Sequence, residues 1–427
     1  MRVRGRKILG LRCITCHHES AWPISSMLCP QCQGNQEVIF NYDEIRKEYK
    51  QRDFVSNPSQ SIWRYMPLLP IFHQPIPDLP PIGWTPLIRT SRLAEDLGCR
   101  PLFLKDEGRN PSGSLKDRAS AIVLQGAIEQ KASIVVGAST GNAGSSMACL
   151  CASANMPCVI FVPKTAPEAK VAQLVTFGAH VLRVNGNYDQ AFDLSLKIGE
   201  RVGAFPRSTG YNPLTREGKK TCAYEIWEQF GRKLPDWVFV SVGDGNILSG
   251  LYKGFFDLMA MGFTHQMPRL AAIQSSASHA VFQAWNNALS GGRPGFSSKI
   301  DIQPVNATTL ADSITVDFPR DGLAAVKSIL GSNGMAICVD DALILEMIPS
   351  VARRTGIFGE PAGVACVAGL KKALAQGWVH PEEQVVCIIT GTGLKDVKAA
   401  LRISVLPDPI EPNVEAAMFA CQEILPH

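Results

Sequence analysis

No apolar run in the chain approaches the roughly 18 residues that a membrane-spanning helix requires, so a membrane partner is not expected. A large excess of one sign of charge is missing too. Lys and Arg number 42 against 38 Asp and Glu, a formal balance of +4 over 427 residues. That balance gives no electrostatic footprint for nucleic acid or an anionic bilayer. The one basic cluster, Arg2, Arg4, Arg6, Lys7 and Arg12, reads as a solvated terminus. Residues 8–11 are apolar, but Arg12 and Cys13 interrupt them before a signal-peptide core can form, and secretion is not expected. No G-x-x-x-x-G-K-S/T loop occurs, which removes motif support for a nucleoside triphosphate site. Charged residues make up only 19% and hydrophobic ones 46%, which excludes a disordered chain.

Cysteine is plentiful, at 13, and unevenly placed. Nine lie scattered in apolar stretches, Cys149, Cys158 and Cys387 among them, where they behave as small buried hydrophobes of a reducing compartment. A cytoplasmic location is expected. The other four form Cys13-x-x-Cys16 and Cys29-x-x-Cys32, two thiolate pairs on two turns that can supply the tetrahedral set zinc accepts. A segment this short, with little apolar content, needs such a staple. Four protein ligands leave no open position, so the zinc would be structural. Free thiols or disulfides are the other reading of the same four residues.

Residues 1–45 are therefore expected to form a zinc-ribbon-like module. Residues 46–85, with prolines at 67, 70, 75, 77, 80 and 81, read as an extended segment wrapping over a neighbouring domain. Further on, strands near 101–105, 133–138, 157–162, 180–184, 237–242, 269–274 and 384–390 alternate with helices near 115–130, 142–155, 167–178, 187–202 and 247–262. The alternation predicts parallel sheets covered by helices. It is too long for one sheet. An α/β, two-lobed, three-layer α/β/α fold is expected, with lobes at 86–205 and 206–405, a cleft between them and a tail helix within 406–427.

Ligands in such sheets bind where strand carboxyl ends turn into helices. Four loops stand there. Asn110-Pro111-Ser112-Gly113-Ser114-Leu115-Lys116-Asp117-Arg118 puts a lysine in the first turn of an apolar helix. The positive helix end and Arg118 are expected to lower its pKa, as a Schiff-base amine requires. Ser139, Thr140 and Ser145 offer hydroxyls around a second helix start, an anion cradle suited to a carboxylate, with Asn142 as an amide donor for a phenolate-like oxygen. Gly243-Asp244-Gly245-Asn246 lets the backbone approach a phosphate closely. Thr390-Gly391-Thr392-Gly393 brings a hydroxyl to a strand end. Any one of these loops alone is an ordinary strand-to-helix turn. Together they suit pyridoxal 5′-phosphate, whose aldehyde condenses with a lysine and whose ring stores electrons.

With Ser61-Ile62-Trp63-Arg64-Tyr65, Gly83-Trp84-Thr85-Pro86-Leu87, Ala311-Asp312-Ser313-Ile314 and Glu360-Pro361-Ala362-Gly363, these loops make the stretch from Ser61 to Leu401 resemble the threonine synthases. These are tryptophan-synthase-β-like, fold type II pyridoxal phosphate enzymes, and an amino-terminal zinc module occurs among them. The resemblance implies Lys116 as cofactor lysine and general base, and Asn142 at the cofactor's 3′-oxygen. It implies Gly243, Asp244, Gly245 and Asn246 at the cofactor phosphate and Thr390 at the pyridine nitrogen. It implies conversion of O-phosphohomoserine and water to L-threonine and phosphate, in a homodimer. The alternatives are a cysteate-synthase-like enzyme using O-phosphoserine, a threonine or serine ammonia-lyase, or an inactive lyase domain carried by an interaction protein. The family's substrate-phosphate arginine lies in Asn-Pro-x-Arg-x-Glu-Gly. Here Asn212-Pro213-Leu214-Thr215-Arg216-Glu217-Gly218 sets the arginine one position later. Arg216, with Lys219 or Lys220 behind it, is the expected substrate-phosphate ligand.

Overall fold

The computed structural model describes residues 7–290 and 300–422. Its larger sheet has six strands in the order Met335–Val339, Arg269–Ser275, Trp237–Ser241, Val385–Ile389, Leu102–Asp106 and Leu87–Arg89, parallel except for the last pair. Trp237–Ser241 and Val385–Ile389 are buried at every residue, as strands covered by helices on both faces must be. A second, four-stranded parallel sheet runs His180–Val184, Cys158–Pro163, Val135–Ala138 and Phe205–Pro206. The two-lobed α/β arrangement is thus present, with one difference in its division. Leu87–Arg89 and Leu102–Asp106 were expected in the first lobe but belong to the larger sheet, where Leu102 pairs with Val385 and Asp106 with Ile389. Strand partners this distant leave no trace in local patterning.

The helix Lys116–Glu129 is buried along almost its whole length and packs against Asn142–Ser153 and Leu214–Lys219. Its polar side chains Asp117, Arg118 and Ser120 are buried with it and are met by partners inside the protein.

At the amino-terminal end, Ile8–Cys13, Glu19–Ser20 and Gln36–Phe40 form a small antiparallel sheet. Ile8, Leu11, Val38 and Phe40 join the main core instead of closing a separate one. The helix Tyr42–Glu48 runs past the expected boundary at 45. Residues 46–85 do wrap over the neighbouring lobe, burying Ile62, Tyr65, Leu68, Leu69, Ile71 and Ile82, but they are not extended throughout. A helix at Gln51–Val55 and a 3-10 helix at Ile62–Leu68 interrupt them. Arg64 explains the compaction: its guanidinium gathers the carbonyls of Phe54, Asn57 and Ser59 and pairs with Glu228 at 2.8 Å.

The tail holds a helix at Val414–Cys421. The rest of the expected tail, 423–427, lies outside the described residues, as do Arg2, Arg4 and Arg6 of the basic cluster. Among the described residues no helix is long and apolar enough to cross a membrane. Cys99, Cys149, Cys151, Cys158, Cys222, Cys366 and Cys387 are buried and unbridged, as small core residues.

Candidate active site

The lysine loop is folded by its own acid. Asp117 accepts the Ser112 N–H at 2.7 Å and the Ser112 hydroxyl at 2.5 Å. The loop is then laced to the glycine loop at the far end of the chain. Leu115 N–H donates to the Thr390 carbonyl at 2.9 Å, and Thr392 N–H to the Gly113 carbonyl at 3.0 Å. Lys116 opens its helix against a cavity of about 650 Å³, a size suited to a cofactor. Burial lowers the Lys116 pKa; the negative charge of Glu360 opposes the shift and Arg207 adds to it. Arg118 does not contribute as expected. Its guanidinium is held by Glu107 at 2.7 Å and Glu225 at 2.5 Å, beside the buried Lys105–Glu225 pair, so its charge is cancelled where it stands.

The second loop reaches the same cavity. Gly144 allows it, since a Cβ there would stand 2.4 Å from the Ser139 carbonyl oxygen. Ser139, Thr140 and Asn142 line the cavity. The Asn142 amide donates to Glu360 at 2.7 Å and to the Ser313 hydroxyl at 3.3 Å. Ser145 is placed differently from expectation. Its hydroxyl accepts from Lys395 at 2.8 Å in a smaller adjoining pocket, and it does not line the main one. It sits on the first turn's other side, facing the helix Glu168–Thr176.

Gly243, Asp244, Gly245 and Asn246 join the strand Trp237–Ser241 to the helix Asn246–Ala260 and line the cavity. Gly245 has φ +90°, and a Cβ there would meet the Ala325 Cβ at 2.7 Å and the Asp321 carbonyl at 2.9 Å. Only glycine fits this turn, which sets the first N–H groups of a 15-residue helix at the cavity wall. Asn246 donates to Asp321 at 2.8 Å and accepts from Lys219 at 2.6 Å. Thr390 lines the cavity where Val385–Ile389 ends. A desolvated lysine, a glycine cradle on a helix start and a strand-end hydroxyl around one cavity fit pyridoxal phosphate.

Arg216 is not at this cavity. Its guanidinium bonds Asp321 at 2.6 Å, the Ser249 hydroxyl at 3.1 Å and the Gln36 carbonyl at 3.4 Å. A one-residue shift turns a side chain about 100° around a helix, and Arg216 does not line the cavity. Lys220 is likewise spent, on Glu217 at 2.6 Å and Asp257 at 2.7 Å. The cavity instead takes Lys219, Arg207 and Arg320. Burial, with Lys116 and Arg207 nearby, pushes Lys219 well below the usual lysine range. Arg207 is only 4% exposed and bonds the Ser120 hydroxyl at 3.2 Å and the Thr209 hydroxyl at 2.8 Å. Its Nη2 has no partner, and burial lowers its pKa to about 10. Arg207 and Glu360 escaped sequence reasoning as site residues. Arg207 follows the two-residue strand Phe205–Pro206, too short to carry a pattern, whereas Glu360 opens a stretch that did stand out.

Cys13, Cys16, Cys29 and Cys32 come together, all four sulfurs within 4.8 Å of one another. Cys13 and Cys32 are 3.4 Å apart and Cys16 and Cys29 3.6 Å, too long for disulfides, whose S–S length is about 2.05 Å. Sulfurs around a tetrahedral zinc with bonds of about 2.3 Å stand about 3.8 Å apart, so the set fits that ion.

Residues 79–391 match the family described as pyridoxal-phosphate dependent enzyme. The chain is 33% identical to a threonine synthase of Methanocaldococcus jannaschii over 416 residues, which cover 97% of this chain and 99% of that protein. It is 33% identical to the threonine synthase of Methanosarcina acetivorans over 407 residues, 95% and 97% of the two chains. Among solved structures, the processed form of threonine deaminase isoform 2 from Solanum lycopersicum shares the fold. It has a TM-score of 0.64 at 19% identity, over 85% of this chain and 93% of that one. Maize serine racemase has a TM-score of 0.62 at 21% identity, over 75% and 91%.

Proposed function

The chain belongs to the pyridoxal-phosphate dependent enzymes, and from that membership we propose that it converts O-phosphohomoserine and water to L-threonine and phosphate in the cytoplasm. Lys116 would hold the cofactor, with residues 243–246 and Lys219 at its phosphate, Asn142 at its ring oxygen and Thr390 at its ring nitrogen. Bound there, the cofactor supplies an electron sink for carbanions next to the amino group. Lys116 would then move protons at Cα and Cβ of the substrate, a task for which its lowered pKa suits it. Ser139 and Thr140 would take the substrate carboxylate. We also propose a structural zinc on Cys13, Cys16, Cys29 and Cys32.

The observation that favours a phosphorylated substrate is Arg207. A cofactor brings one phosphate, for which the glycine cradle and Lys219 suffice. Arg207 adds a further buried cation with an unpartnered Nη2 at the same cavity. A guanidinium kept there without a carboxylate partner suits a second dianion, by its fork of donors. Arg207 therefore takes the role expected of Arg216.

The test compares phosphate release from O-phosphohomoserine and O-phosphoserine with deamination of L-threonine. In Arg207→Ala, kcat/KM for O-phosphohomoserine should fall by about 2–4 kcal/mol in transition-state terms, with the cofactor absorbance unchanged. Turnover of an unphosphorylated amino acid at an equal or greater rate would instead assign an ammonia-lyase.

A further inference from the structure

We infer that the four-cysteine module positions the loop of residues 243–246 through Asn35 and Asp321, so that a metal on the cysteines strengthens cofactor binding at a site it does not touch. This rests on the assignment of that loop to the cofactor phosphate.

Asn35 and its neighbour Gly34 are stitched to the two cysteine turns by their main chain. Ile14 N–H donates to the Asn35 carbonyl at 2.9 Å, and Cys29 N–H to the neighbouring Gly34 carbonyl at 2.9 Å. The Asn35 side chain leaves the module, donating to the Arg320 carbonyl at 2.6 Å and to Asp321 Oδ1 at 3.1 Å, across a separation of 285 residues to the first. Asp321 is buried and divides its two oxygens between module and loop. Oδ1 takes Asn35 and Arg216, whereas Oδ2 takes the Ser249 hydroxyl at 2.6 Å and the Asn246 amide at 2.8 Å. Its backbone closes the same circuit, since Asp321 N–H donates to the Asp244 carbonyl at 2.9 Å. Gly245 rests against the Asp321 carbonyl so closely that a Cβ would not fit.

Three cations of the catalytic region then hold carbonyls of the module. Arg216 reaches Gln36 at 3.4 Å, Lys253 reaches Val38 at 2.8 Å and Lys327 reaches Ile14 at 2.7 Å. Gln36 and Val38 lie on the strand that follows Asn35, and Ile14 lies between Cys13 and Cys16, so all three carbonyls flank the cysteine turns. If the turns open, Asn35 leaves Asp321 and the Oδ1 side of that carboxylate loses a donor. The carboxylate can then swing, and the cradle at Asn246 is no longer held in one arrangement. Metal occupancy and cofactor occupancy are thereby linked, and linkage is reciprocal.

The experiment titrates pyridoxal phosphate into the full-length, cofactor-free protein, followed by absorbance, with zinc kept or stripped by a chelator. Stripping should weaken affinity in the parent at least about fivefold, the low end of ordinary coupling between sites. Asn35→Ala at full zinc content should weaken it to a similar extent, and stripping should then add little. Parental affinity in Asn35→Ala, or an equal loss on stripping with and without Asn35, would overturn the inference. Should stripping unfold the chain, Asn35→Ala with its zinc bound decides alone. Asn246→Ala separates the two readings. Loss of affinity there with none in Asn35→Ala removes the coupling only, whereas parental affinity in Asn246→Ala removes the loop assignment beneath it.

Discussion

The N–H of Leu115 donates to the carbonyl oxygen of Thr390 at 2.9 Å. The bond fastens the residue before the candidate cofactor lysine to the strand end that brings Thr390 to the same cavity. Because it is main chain to main chain, the position of the helix start does not depend on what side chain residue 116 carries.

That independence makes Lys116→Ala informative. Removing a half-buried cation whose pKa is lowered by desolvation takes away a cost of folding, while the laced loops remain. The variant should melt no lower than the cofactor-free parent, lose the absorbance of covalently held cofactor, and turn over more slowly by about 10²–10⁴-fold. A variant that keeps the parent's spectrum would show that another lysine, Lys219 being nearest in role, holds the cofactor.

Arg216 and Asp321 are a buried pair, the side chains 4% and 0% exposed. Arg216→Met leaves the Asp321 charge without its cation and should cost about 3–5 kcal/mol of stability in denaturant titrations. Adding Asp321→Asn should restore part of that loss. With cofactor saturating, KM for O-phosphohomoserine should stay at the parent's value, because Arg216 does not reach the cavity. A large rise in KM alone would return Arg216 to the role its motif suggested.

The contrast between Arg216 and Arg207 marks how far the sequence could be read. Four loops, the candidate cofactor lysine and the cysteine pairs were legible because each is a local pattern: small residues at a helix start, or spacing on a turn. Their convergence was legible only through the chemistry they share. Arg207 was not, since nothing around it repeats and its strand has two residues. The pairing of Leu102–Asp106 with Val385–Ile389 was hidden for another reason. Val385–Ile389 is apolar on both faces and Leu102–Leu104 is a short apolar run, so neither stretch names its neighbour in the sheet. Arg216 was misplaced because a motif fixes order along the chain, whereas a helix converts one position into a different direction.

Lys219 gives the cofactor-free protein a defined pH response. Burial beside Lys116 and Arg207 holds its folded pKa well below the ordinary 10.5, so the folded chain binds fewer protons than the unfolded one in that interval. Stability should therefore rise with pH from the lowered value towards 10.5, and level off above it. Lys116 acts in the same direction. In Lys219→Met the slope should be shallower in urea titrations across that window. An unchanged slope would mean that Lys219 keeps an ordinary pKa.

Glu360 carries the opposite sign. It is buried, accepts the Asn142 amide at 2.7 Å, and burial raises its pKa against the pull of Lys116 and of that hydrogen bond. A carboxyl with a raised folded pKa favours the folded state below its ordinary value and loses that advantage as pH rises through the raised one. Glu360→Gln keeps an oxygen for Asn142 and removes the titration. It should be more stable than the cofactor-free parent at neutral pH, with a flatter profile above the ordinary 4.5, and should retain cofactor. Glu360→Ala takes the acceptor away, frees Asn142 and should weaken cofactor binding about tenfold. The two variants together separate the hydrogen bond from the charge. Were Glu360→Gln less stable than the parent at neutral pH, the ionised carboxylate would be a net stabiliser beside Lys116, and the lysine's proton would be held more tightly than its burial implies.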